Sequence, residues 1–435
     1  MKPKFFGLWL LAVPLANAGP AFGAPSEDLL ASLEPPALAQ LAAEVLERNP
    51  GLARARHRAA AAAARAPQAR ALPDPKASLT WFALPREDRT GPEELSVAWS
   101  QRFPGSGKLA LREQVALRAV EVAEAEVEIL RLDLLTDTRR HFYELAFHDL
   151  HREIVEAELD TLSRYEEAAR ARYSAGTGTQ QDVLRLQAQI TRIDARLLEI
   201  ARQERRLLTS LNALRDRRIN DYVSGLVLSV PAAPQLDPNA LAARGRPEIV
   251  AAEARVLQAR ALAELARKEF RPELTMELGF TLVGSRDDPA SRVMPPPDEG
   301  DDILWLTGSV NLPVRRRKLE AGLEEARAGV RVAEAERRQV EVTIERELGG
   351  LGARLQSLYT EWRLLEELLG PQAREALRSA EAAYATGKYN AVDLLESEVV
   401  LLDVRTSAAR TLADYYVTSA ELERAMARPL SRQGT

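Results

Sequence analysis

Two short residue sets in this chain have the types and spacing that could do chemistry. Pro104-Gly105-Ser106-Gly107-Lys108-Leu109 carries the glycines and lysine of a phosphate-cradling loop. Such a loop needs a glycine five residues before Gly107, where Arg102 stands, and a hydroxyl after the lysine, where Leu109 stands, so the segment reads as a strand-to-helix turn. His148 and His151 have the three-residue spacing that puts two imidazoles on one helical face, with His141 nearby. The chain has no cysteine and no carboxylate clearly completes the set, so a packing or surface role is expected and no metal or cofactor site is predicted. No Ser-His-Asp set, paired catalytic carboxylates or nucleotide fingerprint appears in a convincing context, which points away from an enzyme.

Composition points to long helices. Ala, Leu, Arg and Glu dominate the 435 residues, and aromatics are 5%. The formal charge is −5, two units more negative once Lys2 and Lys4 are removed, which argues against nucleic acid as a partner. Residues 1–18 read as a secretory signal: two lysines, an apolar run from Phe5 to Leu15, and a small-residue site at Ala16-Asn17-Ala18. Beyond it no apolar stretch is long enough for a membrane-spanning helix, so any membrane contact falls to strands or a surface helix.

The elements come twice. Pro50 and Pro247, and Asp74-Pro75 and Arg271-Pro272, share one offset of 197 residues; Tyr173 to Leu184 and Tyr384 to Leu395 repeat Tyr, Gly, Asp and Leu at an offset of 211. Pro104 and Pro313 are already 209 apart, which puts most of the slippage in a Pro/Asp-rich loop near residues 284–301. The first repeat, 19–240, is expected to hold a helix over 37–70 with a local break at Asn49-Pro50, a β-hairpin over 76–103, a long helix over 108–175, a tip turn, a helix over 182–214 and a connector. The second, 241–435, repeats them as a helix over 246–270, a hairpin over 273–313, a long helix over 318–386, a tip turn, a helix over 393–424 and a tail. Leu186, Ile193, Ile200 and Leu207 mark a heptad seam on one shorter helix. In the second long helix Gly349, Gly350, Gly352 and Pro371 predict a bend or bulge.

Four strands of about ten residues match the length that crosses a bilayer at a tilt, with lipid on one face and water on the other. Four strands cannot close a barrel, and open edges in lipid leave backbone groups unpaired, so such a sheet must be completed by further copies of the chain. Trp81, Trp99 and Trp305 are expected to form an interfacial girdle. The competing expectation is a water-soluble sheet capping a helical bundle, favoured by the poor alternation of the first strand.

These features resemble the TolC-type outer-membrane efflux proteins, over nearly the whole mature chain. The resemblance rests on ALPDP before the first strand, QRFPGSGK after the second, RPEIVAAEARVLQA opening the second repeat, and the two Tyr-x-x-Gly turns followed by Asp-x-Leu. The heavy-metal or cation branch is the most similar. It implies a mainly α protein with a small β part: an α-barrel tunnel of coiled-coil helices, plus four transmembrane strands per chain closed by a homotrimer into a twelve-stranded barrel in outer membrane lipid. It also implies an exit duct that receives small solutes from a periplasmic adaptor protein and an inner-membrane pump of the RND or a similar type. The tips, with Tyr173, Gly176, Asp182, Leu184, Tyr384, Gly387 and Leu395, would meet the adaptor. Asp393 and Glu396 match the paired acids of the family's inner tip and would form a pore constriction; the first repeat has Asp182 and Arg185 there. The alternative is a periplasmic coiled-coil adaptor or structural tether.

Overall fold

The computed structural model describes residues 25–430, except 86, 89, 220, 235–244, 287–288, 290–292 and 295–296. The expected signal segment, 1–18, lies outside the described residues. The first repeat opens with helices α1 (Pro25–Ala31), α2 (Pro36–Arg48) and α3 (Pro50–Arg70). Asn49 explains the break between the last two. Its side chain accepts a hydrogen bond from the Leu52 amide at 3.0 Å, capping α3, while Pro50 fills the first helical position, where a missing N–H costs nothing.

After strands β1 (Lys76–Trp81), β2 (Glu87–Asp88) and β3 (Gly91–Phe103), helix α4 (Lys108–Ser174) runs 67 residues, about 100 Å at 1.5 Å per residue. α5 (Gln180–Leu214) returns along it. Asn49 also donates from Nδ2 to the Leu214 carbonyl at 3.0 Å, so the start of α3 meets the end of α5. The two shorter helices therefore abut end to end beside the long rod.

In the second repeat α6 (Pro247–Lys268) leads into β4 (Leu274–Val283) and β5 (Ile303–Val310). The long rod that follows is not one regular helix. α7 (Arg316–Arg363) passes unbroken through Gly349, Gly350 and Gly352, then widens into a π-helical turn over Leu364–Leu369 before α8 (Gly370–Ala385). Pro371 supplies the reason: it has no amide to donate, and its ring collides with the carbonyl one α-turn back. The wider turn accommodates it, with the Gly370 amide bonding to Leu365 O. α9 (Ala391–Met426) completes the repeat.

In the middle of α4, Leu132, Leu135, Phe142, Tyr143 and Leu145 are all buried in one apolar cluster with residues of α1, α2, α3, α5 and α9. α7 packs mainly on α6 and α9 and buries a narrower stripe that includes Ala333, Ile344, Leu348 and Leu355.

The sheet is antiparallel in the order β1-β3-β4-β5, so the two hairpins join at the β3–β4 pair. The registers put Trp99 opposite both Ala77 and Leu278, and Leu278 opposite Leu306; one row further on, Val97, Phe280 and Leu304 align with Leu79. That face is apolar and uncovered, with Trp81 73%, Leu79 69% and Leu306 65% exposed. The opposite face carries Lys76, Ser100, Glu277 and Thr307.

Two expectations about the strands need correction. β1 ends at Trp81, so its six residues alternate cleanly, and the poor alternation read from the sequence belongs to the residues after it. Trp81 and Trp99 lie on the apolar face, whereas Trp305 lies opposite Gly279 on the polar face and does not share a girdle with them. A Cβ at position 279 would collide with the Trp305 indole, so the ring covers the bare backbone of this glycine.

Candidate functional site

The tips of the two helical hairpins are built alike. At the end of α4, Gly176 adopts φ +75°, and the amides of Thr177 and Gly178 bond to Arg172 O at 2.9 and 3.0 Å. At the end of α8, Gly387 adopts φ +76°, and the Lys388 amide bonds to Ala383 O at 2.9 Å. A left-handed glycine reverses the chain at both places without strain. Thr179 then caps α5 by accepting from the Asp182 amide, and Asn390 caps α9 by accepting from the amides of Val392 and Asp393.

Asp393 completes a capping box, with its Oδ2 accepting from the Asn390 amide at 3.1 Å. Its position at the start of α9 also complements the helix dipole. Glu396, three residues on, lies on the same side of the helix and is exposed. Of the other tip residues, Tyr173 and Leu184 are exposed, at 49% and 56%. Tyr384 is buried and Leu395 packs on the core of its own chain, so neither offers a free surface. Arg172 holds the two tips together: it donates to Tyr384 O at 2.9 Å and lies 4.8 Å from the centre of the Tyr384 ring.

Behind the tips lies a polar cluster that the sequence reading missed. Glu158 and Glu398, 9% and 2% exposed, meet between α4 and α9 with their carboxyl groups hydrogen-bonded to each other. The Tyr165 hydroxyl reaches Glu398 at 3.0 Å and also Glu381 on α8. Burial, then the Glu398 charge and hydrogen bond, pushes the Glu158 carboxyl up to about 8, with Arg405 opposing. The signal was present in the apolar seam of α4, where Glu158 stands between the buried residues Val155 and Leu162.

At the other end of the helices, the turn that mimics a phosphate loop is a structural lock. Lys108 is 1% exposed and donates to Glu273 at 2.8 Å and Glu269 at 3.0 Å, while Arg102 also bonds Glu273. The lock joins the start of α4 to the end of α6 and the start of β4. His151 is a packed residue: it is buried and stacks on Phe147 with ring centres 5.3 Å apart, and burial pushes its pKa down to about 4, while His141 and His148 are half-buried.

The chain matches the family model described as "Outer membrane efflux protein" over residues 41–216 and 240–428. It is 21% identical over 363 residues to the cobalt-zinc-cadmium resistance protein CzcC of Cupriavidus metallidurans, covering 83% of this chain and 82% of that protein. Among solved structures it is similar to the outer-membrane channel OprN, with a TM-score of 0.77 at 20% identity, covering 93% of this chain and 92% of OprN. It is also similar to the outer membrane protein VceC of Vibrio cholerae, with a TM-score of 0.75 at 22% identity, covering 91% and 97%. The family match spans both repeats, and the folds agree over nearly the whole length: the chain belongs to the outer membrane efflux protein family and is an outer-membrane efflux channel, not an enzyme.

Proposed function

We propose that three copies of this chain close into one duct, that Asp393 and Glu396 ring its inner opening, and that its exported solutes are small cations. The carrying observation is the sheet. β1 and β5 are its outer strands, and a continuous exposed apolar face runs across all four long strands. Such a face belongs in lipid, where an open strand edge leaves backbone groups unpaired at several kcal/mol each. Pairing β5 of one copy with β1 of the next removes both edges, and three copies supply twelve strands.

The helices support the same closure. α4 is surrounded by α3, α5, α6 and α9, whereas its counterpart α7 packs mainly on α6 and α9 of its own chain. A neighbouring copy would bring its α3 and α5 to the uncovered side of α7, repeating between chains the packing already present within one.

At the tip, three copies of Asp393 and Glu396 would line a narrow opening with carboxylates, which favours cations and disfavours anions. Likeness to a cobalt-zinc-cadmium resistance protein supports a cationic cargo. The exposed Tyr173 and Leu184, with the turns at Gly176 and Gly387, form the end that would meet the hairpins of a periplasmic adaptor coupled to an inner-membrane pump of the RND or a similar type. The test is planar-bilayer conductance with Asp393→Asn and Glu396→Gln. Cation selectivity should fall severalfold in the double variant, and unchanged selectivity and conductance would rule out the acid ring.

A further inference from the structure

The strand-to-helix turn of the second repeat carries Arg315, Arg316, Arg317 and Lys318 in sequence, all four exposed. Among the described residues none of them makes an ion pair; Arg316 alone has a ring contact, 5.8 Å from the centre of Phe270. They stand at the start of α7, where the helix dipole is positive and adjacent cations are unfavourable. The fold does not demand them, because the matching positions of the first repeat, at the offset of 209, are Ser106, Gly107, Lys108 and Leu109, and there the single lysine is buried against Glu273 and Glu269.

What lies next to the cations identifies what they meet. The apolar face of β5 continues past the strand end through Leu312 and Val314, 72% and 75% exposed, directly up to the basic run. The helix-proximal edge of the lipid-facing surface is therefore bordered by four unpaired positive charges. This is the height at which phospholipid phosphates of the periplasm-facing leaflet lie, and guanidinium groups bind phosphate through paired hydrogen bonds.

We infer that Arg315, Arg316, Arg317 and Lys318 are a docking site for the headgroups of anionic phospholipids. The competing counter-ion is Asp74 of a second copy, the counterpart of Arg271. Within one chain, the corner at Arg271-Pro272 approaches Gly105 closely, yet Ser106 and Gly107 stay exposed. An equivalent Asp74-Pro75 corner from a neighbour leaves Arg315 and Arg316 open in the same way.

The inference rests on the membrane placement of the sheet proposed above, and one experiment separates the two. The full-length protein is reconstituted into vesicles of phosphatidylcholine alone or mixed with phosphatidylglycerol. Conductance is recorded, and the lipid retained after gentle re-extraction is identified by native mass spectrometry. Phosphatidylglycerol should be retained over phosphatidylcholine by on the order of ten-fold. The preference should vanish in the R315Q/R316Q/R317Q/K318Q variant and persist in R315K/R316K/R317K. Retention without preference in the native protein overturns the inference, as does a preference that survives the glutamine variant. If that variant fails to assemble, the native comparison and its loss at high salt decide. Conductance without lipid preference rejects the headgroup site alone; absence of conductance in both vesicles rejects the duct.

Discussion

Glu158 of α4 and Glu398 of α9 lie carboxyl to carboxyl in the helical core, with Glu398 on the same helix as Asp393 and Glu396 at the tip. Two such groups cannot both be ionised at close range in a dry interior, so they hold a shared proton. Tyr165 on α4, Glu381 on α8 and Arg405 on α9 complete the charged and polar surroundings.

The folded-state Glu158 carboxyl is raised from 4.5 to about 8, so it contributes stability that is fully present below the unfolded value and is lost as pH rises through the folded value. The melting temperature of the purified protein should therefore decline as pH rises from the unfolded value of 4.5 to about 8, by an amount corresponding to at most about 5 kcal/mol. Glu158→Gln should flatten the decline. A melting temperature of the native protein that is level over the same range would contradict the shared proton.

Arg172 is predicted to clamp the tips. Arg172→Ala removes its hydrogen bond to Tyr384 O and its position over the Tyr384 ring, a local loss of roughly 1–2 kcal/mol. Amide exchange at residues 386–390 should accelerate about ten-fold while the middle of α4 is unaffected. Equal acceleration in both regions would mean that the substitution unfolds the chain rather than freeing the tip.

The junction lock should be costly to break from one side. Lys108→Met leaves the buried Glu273 with Arg102 as its remaining cation, and removing one partner of a buried ion pair typically costs about 3–5 kcal/mol. Thermal unfolding and the yield of folded protein measure this. Exposed pairs such as Arg378–Glu375 provide the control, because Arg378→Met should change stability by less than about 1 kcal/mol.

Gly279 and Trp305 should behave as a unit. Gly279→Ala forces its new methyl group into the indole and should lower the yield of assembled protein; adding Trp305→Gly should restore much of it. If the single alanine variant assembles normally, the indole has room to move aside and the pairing carries no constraint.

Much of this architecture could be read from single residues because it depends on local chemistry. Asn49-Pro50 breaks the helix locally, the absence of Pro and Gly after Lys108 permits a 67-residue rod, and the strict alternation of β4 gives it one apolar and one polar face. Two features needed more than a residue-by-residue reading. Gly349, Gly350, Gly352 and Pro371 together marked the second rod for a bend or bulge; a helix tolerates isolated glycines at a cost of about 1 kcal/mol each, whereas Pro371 has no helical hydrogen bond to make, and the π turn forms just before it. Trp305 looked like part of a girdle until its register put it over Gly279.

Of the candidate site, the sequence by itself located the two tips, because a glycine, a capping residue and an acid at fixed spacing describe a turn without reference to anything else. It did not reveal that Tyr384 is covered by Arg172 or that Glu158 finds Glu398, 240 residues away. Those outcomes depend on which helix faces pack together. Only the tertiary structure decides that, because the free energy of a buried carboxyl group is set by the atoms that replace water around it.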